Sequence, residues 1–258
     1  MKLRLAISIL TSFIFTIYSC GASNGSTNNT TSYNPLLNTV DSIIIPLYSY
    51  PIGQYANEWQ TLYNFNTNKK VYVIVNPSNG PGSSVDPNFT NAIATLKSKG
   101  FKVLGYVSTN YANESISDVE NQINAWFSFY PNIDGIFLDD VSTNNYNYYS
   151  TLYNYIKSQN PHYLVVLNPG ASVPNSYFNI SDKIIVYENT FQNFLNYNNS
   201  YTQEPSSDVC IIVTNTPTQN NFYTAMTHGF SINSSCQYIT NYSGTNTYYF
   251  ISNYLSLY

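Results

Sequence analysis

A closed (β/α)8 barrel is the fold this chain predicts, and three observations lead there. Eight short apolar, β-branched runs recur along its 258 residues, separated by helix-like spacers and polar turns rich in Asn, Pro and Gly. The runs are almost continuously apolar, as expected of parallel strands covered on both faces. No Gly-rich dinucleotide loop follows the first run, which argues against an open doubly wound sheet. The length suits a single barrel.

In chain order the strands are "SIIIPLYSY" from Ser42, "VYVIVNP" from Val71, "FKVLGYVS" from Phe101 and "DGIFLDD" from Asp134. "YLVVLNPG" from Tyr163, "KIIVYEN" from Lys183, "VCIIVTN" from Val209 and "CQYITN" from Cys236 complete the set. The clearest helix follows the second strand: Asp86-Pro87 offers a cap with proline at the first helical position, and Gly100 closes it. "SISDVENQINAWFSFY" is the next, with Ser117 and Glu120 spaced as a capping box. "YYSTLYNYIKSQ" is the third, and the last two helices carry the weakest signals.

Before the barrel, Lys2 and Arg4 precede an apolar run from Leu5 to Tyr18 and small residues from Ser19 to Ser23, the pattern of a cleaved secretory signal over residues 1–22. The run is too short for an ordinary membrane span, and no apolar tail for a lipid anchor ends the sequence. A Cys20 lipid anchor is poorly matched by Tyr18. Residues 23–34 read as a flexible Ser/Thr/Asn leader and 35–258 as the barrel domain. Export leaves Cys210 and Cys236, at the starts of consecutive strands, as an expected disulfide in an oxidising compartment. Sequons such as Asn88-Phe89-Thr90 and Asn179-Ile180-Ser181 suit a secreted glycoprotein. With 9 Lys and Arg against 13 Asp and Glu, net charge is −4, which argues against nucleic acid as a partner. A monomer, free of the membrane after signal cleavage, is expected.

Barrel chemistry gathers at the C-terminal ends of the strands. Strand one ends in Tyr48 and Tyr50, strand two in Asn76, strand three in Tyr106 and strand four in Asp139 and Asp140. Strand five ends in Asn168, strand six in Tyr187 and Glu188, strand seven in Thr214 and strand eight in Thr240. That mouth holds carboxylates, amides and phenols. Neither of the 2 histidines falls at a strand end, so a serine or cysteine triad lacks its base. The sequence also lacks a His/Cys cluster for a metal, and no cofactor is expected.

Carboxylates with amide and hydroxyl donors are the equipment of glycoside hydrolysis, and Asp139, Asp140 and Glu188 are the candidates. Tyr48, Tyr50, Asn76, Tyr106, Asn168, Tyr187 and Thr214 are placed to bind a sugar. By strand alternation Asp139 shares a face with Phe137, and Asp140 with Ile136 and Leu138. Glu188, which follows apolar Ile185 and Val186 and has no acidic neighbour, is the expected acid. The bland alternative has the aspartates capping the next helix and Glu188 in a rim salt bridge.

Together "IIIPLYSYP", "VIVNPSNGPG" with Asp86-Pro87, "VLGYVSTNYA", "DGIFLDD" and "VVLNPG" resemble the spherulin 4 proteins, the spherulation-specific family 4, from about Ser42 to Thr214. The resemblance implies a TIM-barrel glycoside hydrolase acting on an extracellular or cell-wall polysaccharide. Characterised fungal members cleave α-1,4-linked N-acetylgalactosamine in galactosaminogalactan, a secreted biofilm polysaccharide. Their acidic pair after strand four corresponds to Asp139 and Asp140, and their glutamate after strand six to Glu188. The family pair is Asp-Glu, so the second acid here is shorter by one methylene. The chitinase pattern Asp-Gly-x-Asp-x-Asp-x-Glu matches at Asp134, Gly135 and Asp139 but meets Phe137 and Val141 where it needs acids. A non-catalytic sugar-binding or structural protein of a spore or cyst coat is the alternative from another class.

Overall fold

The computed structural model describes residues 39–258. The expected signal segment, the leader and the first residues of the expected domain lie outside the described residues. Within them the strands close in sequence order into a barrel, β1 to β8. These are β1 (Ser42–Leu47), β2 (Lys70–Val75), β3 (Lys102–Ser108), β4 (Gly135–Asp139), β5 (Leu164–Leu167), β6 (Lys183–Thr190), β7 (Val209–Thr214) and β8 (Cys236–Ile239). Every neighbouring pair is parallel, and Ser42 opposite Cys236 closes the ring. Unbroken apolar runs form these strands because both faces are covered: Ile43, Ile44 and Ile45 are all fully buried.

Helices α1 (Ala56–Tyr63), α2 (Pro87–Ser98), α3 (Ile116–Phe129), α4 (Tyr146–Gln159), α5 (Phe191–Phe194) and α6 (Gln219–Ser231) form the outer layer. At the start of α2 the Asp86 side chain accepts from the Asn88 amide, and at its end Gly100 adopts φ +80°, a left-handed stop. The cap of α3 differs from expectation. Ser115, not Ser117, accepts from the Asp118 amide, so the helix opens two residues earlier on an Asp and not on Glu120. Trp126 of α3 lies over Gly105 of β3, where a Cβ would come within 2.4 Å of its ring, and donates from Nε1 to the Tyr106 carbonyl. Only a glycine permits that approach.

The weak helix signals near the end have a physical counterpart. A 3-10 segment (Asn175–Ile180) joins β5 to β6, α5 is one turn long, and β8 is followed by 3-10 turns at Thr247–Tyr249 and Leu255–Leu257. That tail returns across the mouth of the barrel, where the Tyr48 amide donates to the Tyr248 carbonyl at 2.7 Å. At the opposite end, lysines pair with two further acids. Lys97 and Lys102 hold Asp134 before β4, and Lys157 holds Asp182 before β6. Cys210 and Cys236 stand opposite each other in the β7–β8 register and form a disulfide, with Cα atoms 4.4 Å apart.

Candidate active site

Three strand ends build the mouth. Asp139 is the last residue of β4, and Tyr106 of β3 packs beside Phe137, the residue two before Asp139 on the same face. Asp140 escapes the alternation that should turn it outward because it adopts φ +52°. That left-handed turn redirects the chain, and the Asp140 carboxylate accepts from the Ser108 hydroxyl at 2.6 Å. Its backbone is held too, with the Tyr111 amide and the Thr109 hydroxyl donating to the Asp140 carbonyl. Glu188 owes its aim to a bulge: the β6–β7 register slips between Ile185 and Tyr187. One extra residue exchanges the faces on which the following side chains project.

Asn168, just after β5 and buried, ties these ends together. Its Nδ2 donates to Asp139 Oδ1 at 2.7 Å and to Glu188 Oε2 at 2.5 Å. Two bonds of 2.7 and 2.5 Å to one nitrogen leave the acidic oxygens no more than about 5 Å apart. The orientation of the amide is set by its own oxygen, which accepts from the Gly170 amide at 3.0 Å. Gly170 sits at φ +57° with space for a Cβ only 3.3 Å from that of Glu188, so a side chain there would press on the acid. The Tyr248 hydroxyl donates to Glu188 Oε1 from the returning tail.

Burial dominates the charge state. It pushes the Asp139 carboxyl up to about 7, with the Glu188 charge as the second cause and the Tyr106 hydroxyl opposing. Glu188 is raised chiefly by burial as well, while bonds from Tyr248 and Asn168 pull it down. Both carboxyls are thus held toward the protonated side of their ordinary values, and at this separation their titration belongs to the pair. Tyr48 packs edge-on to Tyr106 and to Tyr248 beside the acids. Burial and then the Asp139 and Glu188 charges hold its phenol well above the ordinary range, so it stays a neutral donor.

A cavity of about 270 Å³ opens above the acids, lined by Tyr111, Asp139, Asp140, Asn168, Pro169, Gly170 and Glu188. Of the residues expected in the site, Asp139, Asp140, Glu188, Asn168, Tyr48 and Tyr106 thus meet. The aspartates do not cap the next helix, whose N-cap residue is Asn145. Other expected sugar-binding residues are engaged elsewhere. Tyr50 donates to Asp86 at the start of α2, and Asn76 accepts from the Gly80 amide within its own loop. Tyr187 packs on Phe194 and Tyr197 and donates to the Thr190 carbonyl, because the bulge that aims Glu188 at the mouth turns its neighbour to the helix layer. Thr214 pairs with Thr190 at the end of β7, outside the cavity lining. Tyr248, Ser108 and Tyr111 were not expected. Tyr248 lies beyond the last strand, and no strand-end rule reaches it.

The fold and site together define a (β/α)8 barrel with an amide-bridged carboxyl pair at its mouth. The chain belongs to the spherulation-specific family 4, which it matches over residues 42–258. It is 35% identical over 158 residues to "Spherulin-4" of Physarum polycephalum, a match covering 60% of this chain and 46% of that protein. The chain therefore spans about half the length of that relative. Among solved structures, Aspergillus clavatus Sph3 in complex with GalNAc shares the fold, with a TM-score of 0.71, 24% identity, and coverage of 86% of this chain and 96% of that one.

Proposed function

We propose that this protein is a secreted glycoside hydrolase acting on an amino-sugar polysaccharide, with an α-1,4-linked N-acetylgalactosamine chain as the leading substrate. The observation that carries the reading is the Asn168 amide bridging Asp139 and Glu188 across an open cavity. Retaining glycosidases hold their two carboxyls about 5–5.5 Å apart, whereas inverting ones need about 6.5–9.5 Å to admit a water. The spacing here favours retention. One carboxyl of the pair protonates the glycosidic oxygen as the C–O bond breaks, and the other attacks the anomeric carbon to give a glycosyl ester. Water then enters, the first residue takes its proton, and the ester is cleaved. The raised proton affinity of the pair keeps an acid available beside a carboxylate near neutral pH.

Substrate class draws on the family and on Sph3, which was solved with GalNAc. Export draws on the N-terminal signal pattern, the sequons and the Cys210–Cys236 disulfide. The test is release of reducing ends from a panel of amino-sugar polysaccharides by the secreted protein and by Asp139→Asn and Glu188→Gln. Each variant should lose at least about a hundredfold in rate while melting no lower than wild type. Near-normal turnover in both would remove the pair from catalysis. Binding without turnover is the second reading, favoured by Asp140 standing where the family pair has a longer acid. Sugar binding by a wild-type protein that releases no reducing ends would select it.

A further inference from the structure

The residue at the rim of the cavity that the carboxyl chemistry leaves unused is Tyr111. It lines the cavity with Asp139, Asp140 and Glu188, yet is 58% exposed, so its ring is not there to fill the core. Its backbone is held in an uncommon state. Asn110, Tyr111 and Ala112 take φ of +46°, +57° and +67° in succession. Asparagine tolerates that region, but tyrosine and alanine do not favour it, and glycine would occupy it without strain. The turn is nevertheless pinned. The Tyr111 amide donates to the Asp140 carbonyl at 2.7 Å, the Ala112 amide to the Thr109 carbonyl at 2.9 Å, and Asn113 Nδ2 to the Asn110 carbonyl at 2.7 Å. A large aromatic ring is thus presented to solvent above two carboxylates by a backbone that disfavours it. Such strain persists where the displayed side chain has a use.

We propose that Tyr111 is the stacking platform of the sugar subsite and that it selects galacto- over gluco-configured amino sugars. This deepens the glycosidase reading and rests on it. An axial 4-hydroxyl gathers the C3, C4 and C5 hydrogens of a galacto sugar on one face, an apolar patch that fits a phenol ring. The C4 epimer has an equatorial hydroxyl and spreads its polar groups around the ring. Asp140, hydrogen-bonded to Ser108 and fixed against the Tyr111 amide, anchors the platform relative to the acids.

The experiment uses methyl α-N-acetylgalactosaminide and methyl α-N-acetylglucosaminide, which differ only at C4, titrated against the full protein by NMR. Wild type should bind the galacto glycoside about tenfold more tightly, the scale of one aromatic stacking contact. Tyr111→Ala should lose most of that preference with little change in melting, because the ring is exposed, and Tyr111→Phe should keep it. A Tyr111→Ala variant that retains the preference overturns the platform and leaves the carboxyl pair untouched. Wild-type binding of neither glycoside overturns the platform and the sugar reading together.

Discussion

Among the described residues no cation pairs with Asp139, and its carboxyl is instead raised toward protonation. In the folded chain its carboxyl titrates at about 7, whereas an unfolded aspartate titrates near 3.9. Between those values the native state holds a proton that the unfolded chain has released, so stability falls as pH rises from about 4 to about 7. Asp139→Asn removes that dependence. Its melting temperature should match wild type near pH 4 and exceed it by about 2–6 °C at pH 8, the cost being shared with Glu188. A difference that does not change with pH would contradict the buried pair. Tyr248→Phe tests the other partner. Losing a donor that favours the Glu188 carboxylate raises the affinity of the pair for its proton, so the basic limb of kcat/KM should move to higher pH. An unmoved limb would leave Tyr248 a packing residue. The acids were legible in the sequence as charges ending apolar runs; Tyr248 was not, since its approach depends on the path of the tail.

Elements divide along the same line, between what local pattern dictates and what tertiary contact decides. The strands, the Asp86 cap and Gly100 follow from residue type and spacing. The β6 bulge does not, because "KIIVYEN" reads as an even strand and only pairing with β7 exposes the slip. That one irregularity explains why Glu188 reaches the mouth while Tyr187 packs outward. The Ser115 cap was hidden by a competing serine two residues on. At β7–β8 the expected disulfide is present and closes a separation of 26 residues. Replacing Cys210 and Cys236 by Ala should cost about 3–4 kcal/mol of stability in the chain-entropy view, read from denaturant midpoints. Midpoints within error of wild type would make the bond redundant with the barrel's own packing.

For the whole molecule, parallel closure delivers side chains from β4, β5 and β6 to one rim, and the irregular tail adds Tyr248 from beyond β8. The barrel was legible because eight covered strands demand eight apolar runs. The tail's path was not, because 3-10 turns follow contact and carry no repeating pattern. The most specific feature of this architecture is a separation: the hydrogen-bonded oxygens of the two acids lie no more than about 5 Å apart, bridged by one amide, and the proposed retaining mechanism rests on that spacing. Proton NMR of the first sugars released from an α-1,4-linked N-acetylgalactosamine chain tests it directly. With retention the α anomer appears first and mutarotates to β; initial release of the β anomer would rule out a covalent intermediate formed on this pair.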